Sequence, residues 1–207
     1  MPAAVLKKSD PRSLLIVIAG PSGAGKTTLC DMLLDAHPEM TYSVSCTTRV
    51  PRGEEVDGRD YFFIPREEFD QKVRDEEFLE FANVHGHWYG TLRRTVLAAL
   101  EGSQDIVMDI DVEGARQMRE KVMHSHDADP IRAAYMDVFI RPETMETLEK
   151  RLRGRNEDSE EAIATRMINA RKELEYESDF SCVVFNDNLA FAYGELLNYI
   201  LEQKRSM

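Results

Sequence analysis

At 207 residues and 23.7 kDa, the chain is long enough to close one sizeable hydrophobic core carrying small insertions. Hydrophobic residues make up 43% and charged residues 31%, a globular rather than a disordered composition. The net charge of −12 argues against a nucleic-acid-coating surface, while locally concentrated arginines still leave room for an anionic small molecule.

Taken in chain order, the segment Met1 to Lys8 holds no apolar stretch of the kind a signal peptide needs. The longest wholly apolar run, Leu14 to Ala19, is far shorter than the roughly 20 residues that cross a bilayer. The three cysteines, Cys30, Cys46 and Cys182, lie far apart with no CxxC pair, which points to reduced thiols rather than a disulfide framework or a zinc site. A soluble, cytoplasmic protein with neither membrane nor nucleic acid as partner is the expectation.

The run Leu14 to Ala19 is continuous and β-branched, as suits a strand buried on both faces of a parallel sheet. It stops at Gly20-Pro21, and an amphipathic helix follows with Leu29, Met32 and Leu33 on one side. Further buried strands are predicted at Ile106 to Ile110, Val138 to Ile140 and Cys182 to Phe185. Helices are predicted over Glu143 to Leu152, Ser159 to Glu177 and Leu189 to Gln203. Apolar strands alternating with helices make an α/β fold with a parallel sheet. The stretch from about Tyr42 to Tyr89 is polar and aromatic, with turn signals at Pro51-Arg52-Gly53 and Asp57-Gly58, and reads as a small, partly β insertion. Residues 150–166, rich in arginine and glutamate, read as a mobile helical segment.

Gly20-Pro21-Ser22-Gly23-Ala24-Gly25-Lys26-Thr27 satisfies GxxxxGK[ST] between a predicted strand and a predicted helix. Its glycines let successive N–H groups face phosphate oxygens, and the helix N-terminus adds partial positive charge. In that geometry Lys26 reaches the β and γ phosphates of a nucleoside triphosphate, and the Thr27 hydroxyl helps to ligate Mg²⁺. An ordinary glycine-rich turn is the alternative. The loop does not say what receives the phosphoryl group.

Arg49 and Arg52 lie three apart in Ser45-Cys46-Thr47-Thr48-Arg49-Val50-Pro51-Arg52-Gly53. Guanidinium forks grip phosphate bidentately and stay charged, so with Tyr61 they suit a monophosphate dianion; a solvated pair near a turn is the alternative. With these residues on the page, the sequence resembles the guanylate kinase family of nucleoside monophosphate kinases. The resemblance rests on GPSGAGKT, on Ser45 to Phe63, on Phe78 to Thr91, on Met108 to Gly114 (MDIDVEG), on Arg151 to Met167 and on Phe185 to Asn188 (FNDN), and it covers Leu14 to about Gln203.

The resemblance implies ATP as co-substrate with Mg²⁺, GMP as acceptor, and a P-loop kinase core of residues 1–41 and 92–207. A mixed α/β GMP-binding insertion would span 42–91, and a helical lid about 150–167. It places Ser45, Arg49, Arg52, Tyr61, Glu80, Tyr89, Thr91 and Asp109 around GMP, with Glu55 orienting an arginine. Lys26, Arg49, Arg52, Arg155 and Arg166 act on the transferring group, Arg151 joins them in the lid, and Asn186 joins Gly20 to Thr27 on ATP. The base chemistry agrees: guanine offers N1–H and its 2-amino group as donors and O6 as acceptor. By the resemblance, the Glu80 carboxylate would accept from the donors, with Asp109 assisting, while the Ser45 and Thr91 hydroxyls would reach O6. Adenine's N1 would instead leave Glu80 facing a lone pair. Taken alone, Glu80 also reads as a solvated helix glutamate, Asn186 as a turn asparagine, and Asp111 as a helix N-cap. The division of guanine and metal duties between Asp109 and Asp111 stays open, as do monomer or homo-oligomer and GMP against dGMP.

Several positions depart from the family pattern. His87 and Trp88 stand where asparagine and tyrosine are common, and Arg141 replaces a frequent proline, which should affect only local loop shape. His37, His85 and His87 read as surface or packing residues. Met123 to Pro130 looks like an inserted surface loop whose His-Ser-His-Asp lacks a closed metal-ligand set. Other phosphate-accepting kinases give no reason for Glu80 beside Ser45 and Thr91. A non-catalytic module of the same fold would have lost Lys26, Thr27 and the lid arginines. A regulatory GTPase would carry an NKxD segment, which FNDN is not.

Overall fold

The apolar run after Ser13 builds β1 (Leu15–Ala19), buried at every residue, in a computed structural model that describes residues 13–84, 86–154 and 159–206. His85, Arg155, Glu157 and Asp158 lie outside the described residues. β1 is central in a parallel sheet of five strands, ordered β2 (Thr41–Tyr42), β7 (Ile106–Asp109), β1, β8 (Tyr135–Arg141), β9 (Cys182–Phe185). Alternate residues feed two cores. Ile16 and Ile18 pack with Leu29 and Leu33 of α1 (Lys26–Ala36) and with Leu196 and Ile200 of α8 (Leu189–Ser206). Leu15 and Val17 pack with Val96 of α3 (Arg93–Glu101), Met118 of α4 (Val112–His124) and Ile131 of α5 (Pro130–Ala134). Helices on both faces are why the strands read as unbroken apolar runs, each such side chain contributing about 1.5–3 kcal/mol of burial. Of the side predicted for α1, Leu29 and Leu33 are buried together with Cys30, while Met32 is only half-buried.

A second sheet of four short strands, ordered β4 (Phe62–Phe63), β3 (Cys46–Thr47), β6 (His87–Leu92), β5 (Phe78–Val84), holds the segment expected to be partly β. Its own core is aromatic: Phe69 of α2 (Arg66–Arg74) stacks on Phe78 at 4.6 Å between ring centres, with Cys46 and Leu92 beneath. The edge expected at Tyr42 falls inside β2, where Tyr42 pairs with Val107 in the larger sheet.

Helices predicted over 143–152 and 159–177 appear as α6 (Met145–Gly154) and α7 (Glu160–Leu174), followed by a short 3₁₀ turn at Glu177–Asp179. They pack through Leu148, Leu152, Ile163 and Met167, and Ser159 caps α7 by accepting from Ala162 N. The 123–130 stretch is a surface loop only in part: α4 runs on to His124, and Asp129 with Pro130 opens α5. Arg93 pairs with Asp129 at 2.9 Å, and among the described residues no cluster of three metal-binding side chains occurs. Arg141 ends β8, pairs with Glu177 and lies 5.0 Å over the Phe185 ring, so it ties three segments together rather than shaping a loop. No described helix is long and apolar enough to cross a membrane.

Candidate active site

The glycine-rich loop leaves β1 and enters α1 with two glycines that sterics require. A Cβ on Gly20 would lie 2.1 Å from the Ile140 carbonyl oxygen, and one on Gly25 would lie 2.2 Å from Asn186 Nδ2. Gly25 is left-handed (φ 94°) and caps α1 without a side-chain hydrogen bond, and no acidic residue occupies the first turn, so that turn offers its dipole and N–H groups to an anion. Lys26 Nζ donates to the Gly20 and Pro21 carbonyls at 2.7 and 3.1 Å. Burial pulls its pKa down, while Asp109, Glu173 and Asp111 oppose that shift.

Thr27 Oγ1 donates to Asp109 Oδ2 at 2.8 Å, and the Tyr42 hydroxyl donates to the other carboxylate oxygen. Burial, then the Asp109 charge, pushes the Tyr42 phenol well above its ordinary range. These are hard oxygen groups at the mouth of a phosphate loop, a donor set that fits Mg²⁺ completed by phosphate oxygens and water. Around the loop, Arg166 donates to Ser22 Oγ at 2.8 Å, Arg151 reaches the Ala24 and Asn186 carbonyls, and buried Asn186 donates to Ala24 O at 2.8 Å.

In the smaller sheet's segment, Arg49 is only 6% exposed. Its Nη1 and Nη2 each donate to Glu55 at 2.8 Å, its Nε donates to the Tyr89 hydroxyl at 3.1 Å, and its guanidinium sits 5.4 Å from the centre of the Tyr61 ring. That fork, followed by the Arg52 N–H, holds the Glu55 carboxyl down at about 2. Glu55 therefore orients Arg49 through its side chain and Arg52 through its backbone, at 2.7 Å. The Arg52 side chain is exposed and makes no hydrogen bond or ion pair with another described residue.

Glu80 lies on β5, not on a helix, and is 5% exposed. It is opposite Thr91 in the ladder, and Thr91 Oγ1 donates to Glu80 Oε1 at 2.6 Å, with Ser45 Oγ a further 3.5 Å away. Burial pushes the Glu80 carboxyl up to about 7, Asp111 adds to the rise, and the Thr91 hydrogen bonds and Lys121 oppose it. Asp111 N-caps α4 by accepting from Gly114 N at 2.7 Å.

The structure thus gathers the sequence-selected residues into two clusters, Gly20 to Thr27 with Asp109, Arg151, Arg166 and Asn186, and Ser45, Arg49, Tyr61, Tyr89, Thr91 with Glu80. Asp109 sits with the first cluster and Asp111 near the second. Sequence reasoning missed three neighbours. Tyr42 carries no motif signal. Gly114 was visible only as the last letter of MDIDVEG. Glu173 of α7 interacts with the Lys26 charge and has its own pKa raised, chiefly by burial.

Residues 12–203 match the family model for guanylate kinase. The chain is 42% identical over 186 residues to the guanylate kinase of Fusobacterium nucleatum, covering 90% of this chain and 95% of that protein. It is 43% identical over 196 residues to that of Bradyrhizobium diazoefficiens, covering 95% and 85%. The crystal structure of guanylate kinase from Anaplasma phagocytophilum superposes with a TM-score of 0.70 at 26% identity, over 94% of this chain and 87% of that one.

Proposed function

The chain belongs to the guanylate kinase family, and from that membership and the two clusters we infer that it transfers the γ-phosphoryl group of ATP to GMP, giving ADP and GDP. The observation that carries the acceptor assignment is Glu80. A buried carboxylate with one oxygen on the Thr91 hydroxyl, near Ser45 and on the same small sheet as the Arg49 clamp, suits guanine's donor edge at one end and a phosphate at the other.

Donor and acceptor bind by different means. The loop N–H groups, the α1 N-terminus and Lys26 hold the β and γ phosphates, and Asn186 borders the adenine end. Arg49, Arg52, Tyr61 and Tyr89 hold the GMP phosphate. Thr27, with Asp109 beside it, would hold Mg²⁺, which when bound neutralises charge on the triphosphate. The nucleophile is a GMP phosphate oxygen that is already ionised, so no general base is needed. Transfer is in line, and this chain's contribution is positive charge around the equatorial oxygens: Lys26, Arg166 and, on sequence grounds alone, Arg155. Arg151, bonded to the loop and to Asn186, braces the lid against the donor site.

The four-stranded sheet with α2 forms the acceptor segment, the five-stranded sheet with its flanking helices the core, and α6 with α7 the lid that closes over the phosphates and excludes water. dGMP carries the same guanine edge and 5′-phosphate and is expected as a second substrate. The test is ADP formation with ATP, Mg²⁺ and each nucleoside monophosphate in turn, with Lys26→Ala as the blank. Turnover with GMP and dGMP, lost in the variant, supports the reading. Equal rates with AMP or UMP overturn the guanine site, and no turnover with any acceptor overturns the kinase.

A further inference from the structure

Gly114 stands in the first turn of α4, three residues after the Asp111 cap. Its backbone is not left-handed, so nothing in its conformation asks for glycine, and alanine is the better helix former. The three atoms nearest to a Cβ at this position, outside the helix's own backbone, all belong to acidic side chains. That Cβ would lie 2.9 Å from Glu80 Oε2, 3.5 Å from Glu80 Cδ and 3.3 Å from Asp111 Oδ1. The glycine is therefore explained by the carboxylate across from it, not by the helix it belongs to.

We propose that Gly114 is a specificity-positioning residue: its missing side chain leaves the space in which the Glu80 carboxylate must lie to read guanine. The inference rests on the assignment of Glu80 to guanine made above. Glu80 Oε1 is fixed by the Thr91 hydroxyl, and Oε2 is free to settle against α4 only because position 114 has no methyl group. Pairing with guanine's N1–H and 2-amino group needs both oxygens near 2.7–3.1 Å and roughly coplanar with the base. A methyl at 114 crowds the far end of a flexible side chain, so Glu80 swings aside at little cost to the fold. The loss falls on guanine, because the displaced carboxylate keeps neither Thr91 nor the base edge in line.

The experiment compares the wild type, Gly114→Ala, Glu80→Gln, Glu80→Asp, which shortens the acid by one methylene, and Gly114→Ala combined with Glu80→Asp. KM for GMP, KM for ATP and the thermal midpoint are measured for each. Gly114→Ala should raise KM for GMP about tenfold, leave KM for ATP within about twofold, and leave the midpoint no lower than in the wild type. In the combined variant the two substitutions should be less than multiplicative, since the shorter acid frees the crowded space. If Glu80→Gln raises KM for GMP and Gly114→Ala does not, the role of Gly114 is wrong while the guanine site stands. If Glu80→Gln leaves KM for GMP unchanged, the guanine reading itself fails and takes this inference with it. A Gly114→Ala protein with both KM values raised, or with a lowered midpoint, marks an ordinary packing position and overturns the proposal.

Discussion

Thr91 donates its hydroxyl to Glu80 across 2.6 Å, a neutral donor on a carboxylate that is almost sealed from water. The neutral hydrogen bonds from Thr91 do not offset the desolvation of a charge, which is why the acid stays protonated up to about pH 7. The acid keeps its proton longer in the folded chain than in the unfolded one, so it costs stability as pH rises from its usual range near 4.5 to about 7. Glu80→Gln should therefore raise the thermal midpoint at pH 8, by up to about 3 kcal/mol of stability, and the advantage should fade toward pH 4.5. A midpoint-versus-pH series on both proteins reads this directly. Guanine's donors favour the ionised carboxylate, so wild-type affinity for GMP should climb between pH 6 and 8 more steeply than that of the glutamine variant.

Arg49 and Glu55 form a two-bond fork with the guanidinium buried and the acid partly open. Glu55→Ala leaves Arg49 unaimed, and KM for GMP should rise roughly tenfold to a hundredfold with KM for ATP little changed, as for loss of a charge-assisted bidentate pair. The depressed Glu55 pKa gives the pair full strength above the usual carboxylate range, with loss only as pH falls through about 2. GMP binding should accordingly show no titration from this pair between pH 5 and 8, which steady-state kinetics across that window will check.

Asp109 receives Thr27 on one oxygen and Tyr42 on the other, so the phenol fixes the carboxylate that stands beside the hydroxyl proposed to hold Mg²⁺. Tyr42→Phe keeps the ring and removes one donor. It should lower kcat/KM about fivefold, near 1 kcal/mol for one hydrogen bond, and raise the Mg²⁺ concentration needed for half activity. An unchanged Mg²⁺ dependence alongside lower activity would show that Tyr42 acts elsewhere.

The parts legible in the sequence are those whose signal is local. The Leu14 to Ala19 run announces a doubly covered strand, and Gly20 to Thr27 encodes its own conformation. Strands of two residues such as β2, β3 and β4 carry no period of their own, because their partners far along the chain decide them. Glu80 looks helical beside Glu76 and Glu77, yet it is in a strand because Phe78 and Leu79 are drawn into different cores. Tyr42 and Gly114 matter through what they face across the fold, and no spacing reports that. The start of α5 was readable in hindsight, with Asp129 as cap and Pro130 at the first helical position.

Asp137 of β8 is fully buried and saturated: it accepts from Arg119 Nε at 2.9 Å, from the Tyr135 hydroxyl at 2.8 Å and from Ser181 N at 2.8 Å. Arg119 is about a quarter exposed and has water within reach, so the two partners should not be equally costly to remove. Arg119→Leu leaves a buried carboxylate with neutral donors only and should cost about 3–5 kcal/mol, whereas Asp137→Ala leaves a cation that solvent can reach and should cost about 1–3 kcal/mol. Asp137→Asn in the Arg119→Leu background removes the stranded charge and should recover part of the loss. Urea unfolding of the four proteins measures all three differences. Equal costs for the two single variants would mean that packing, not the unpaired charge, dominates at this site.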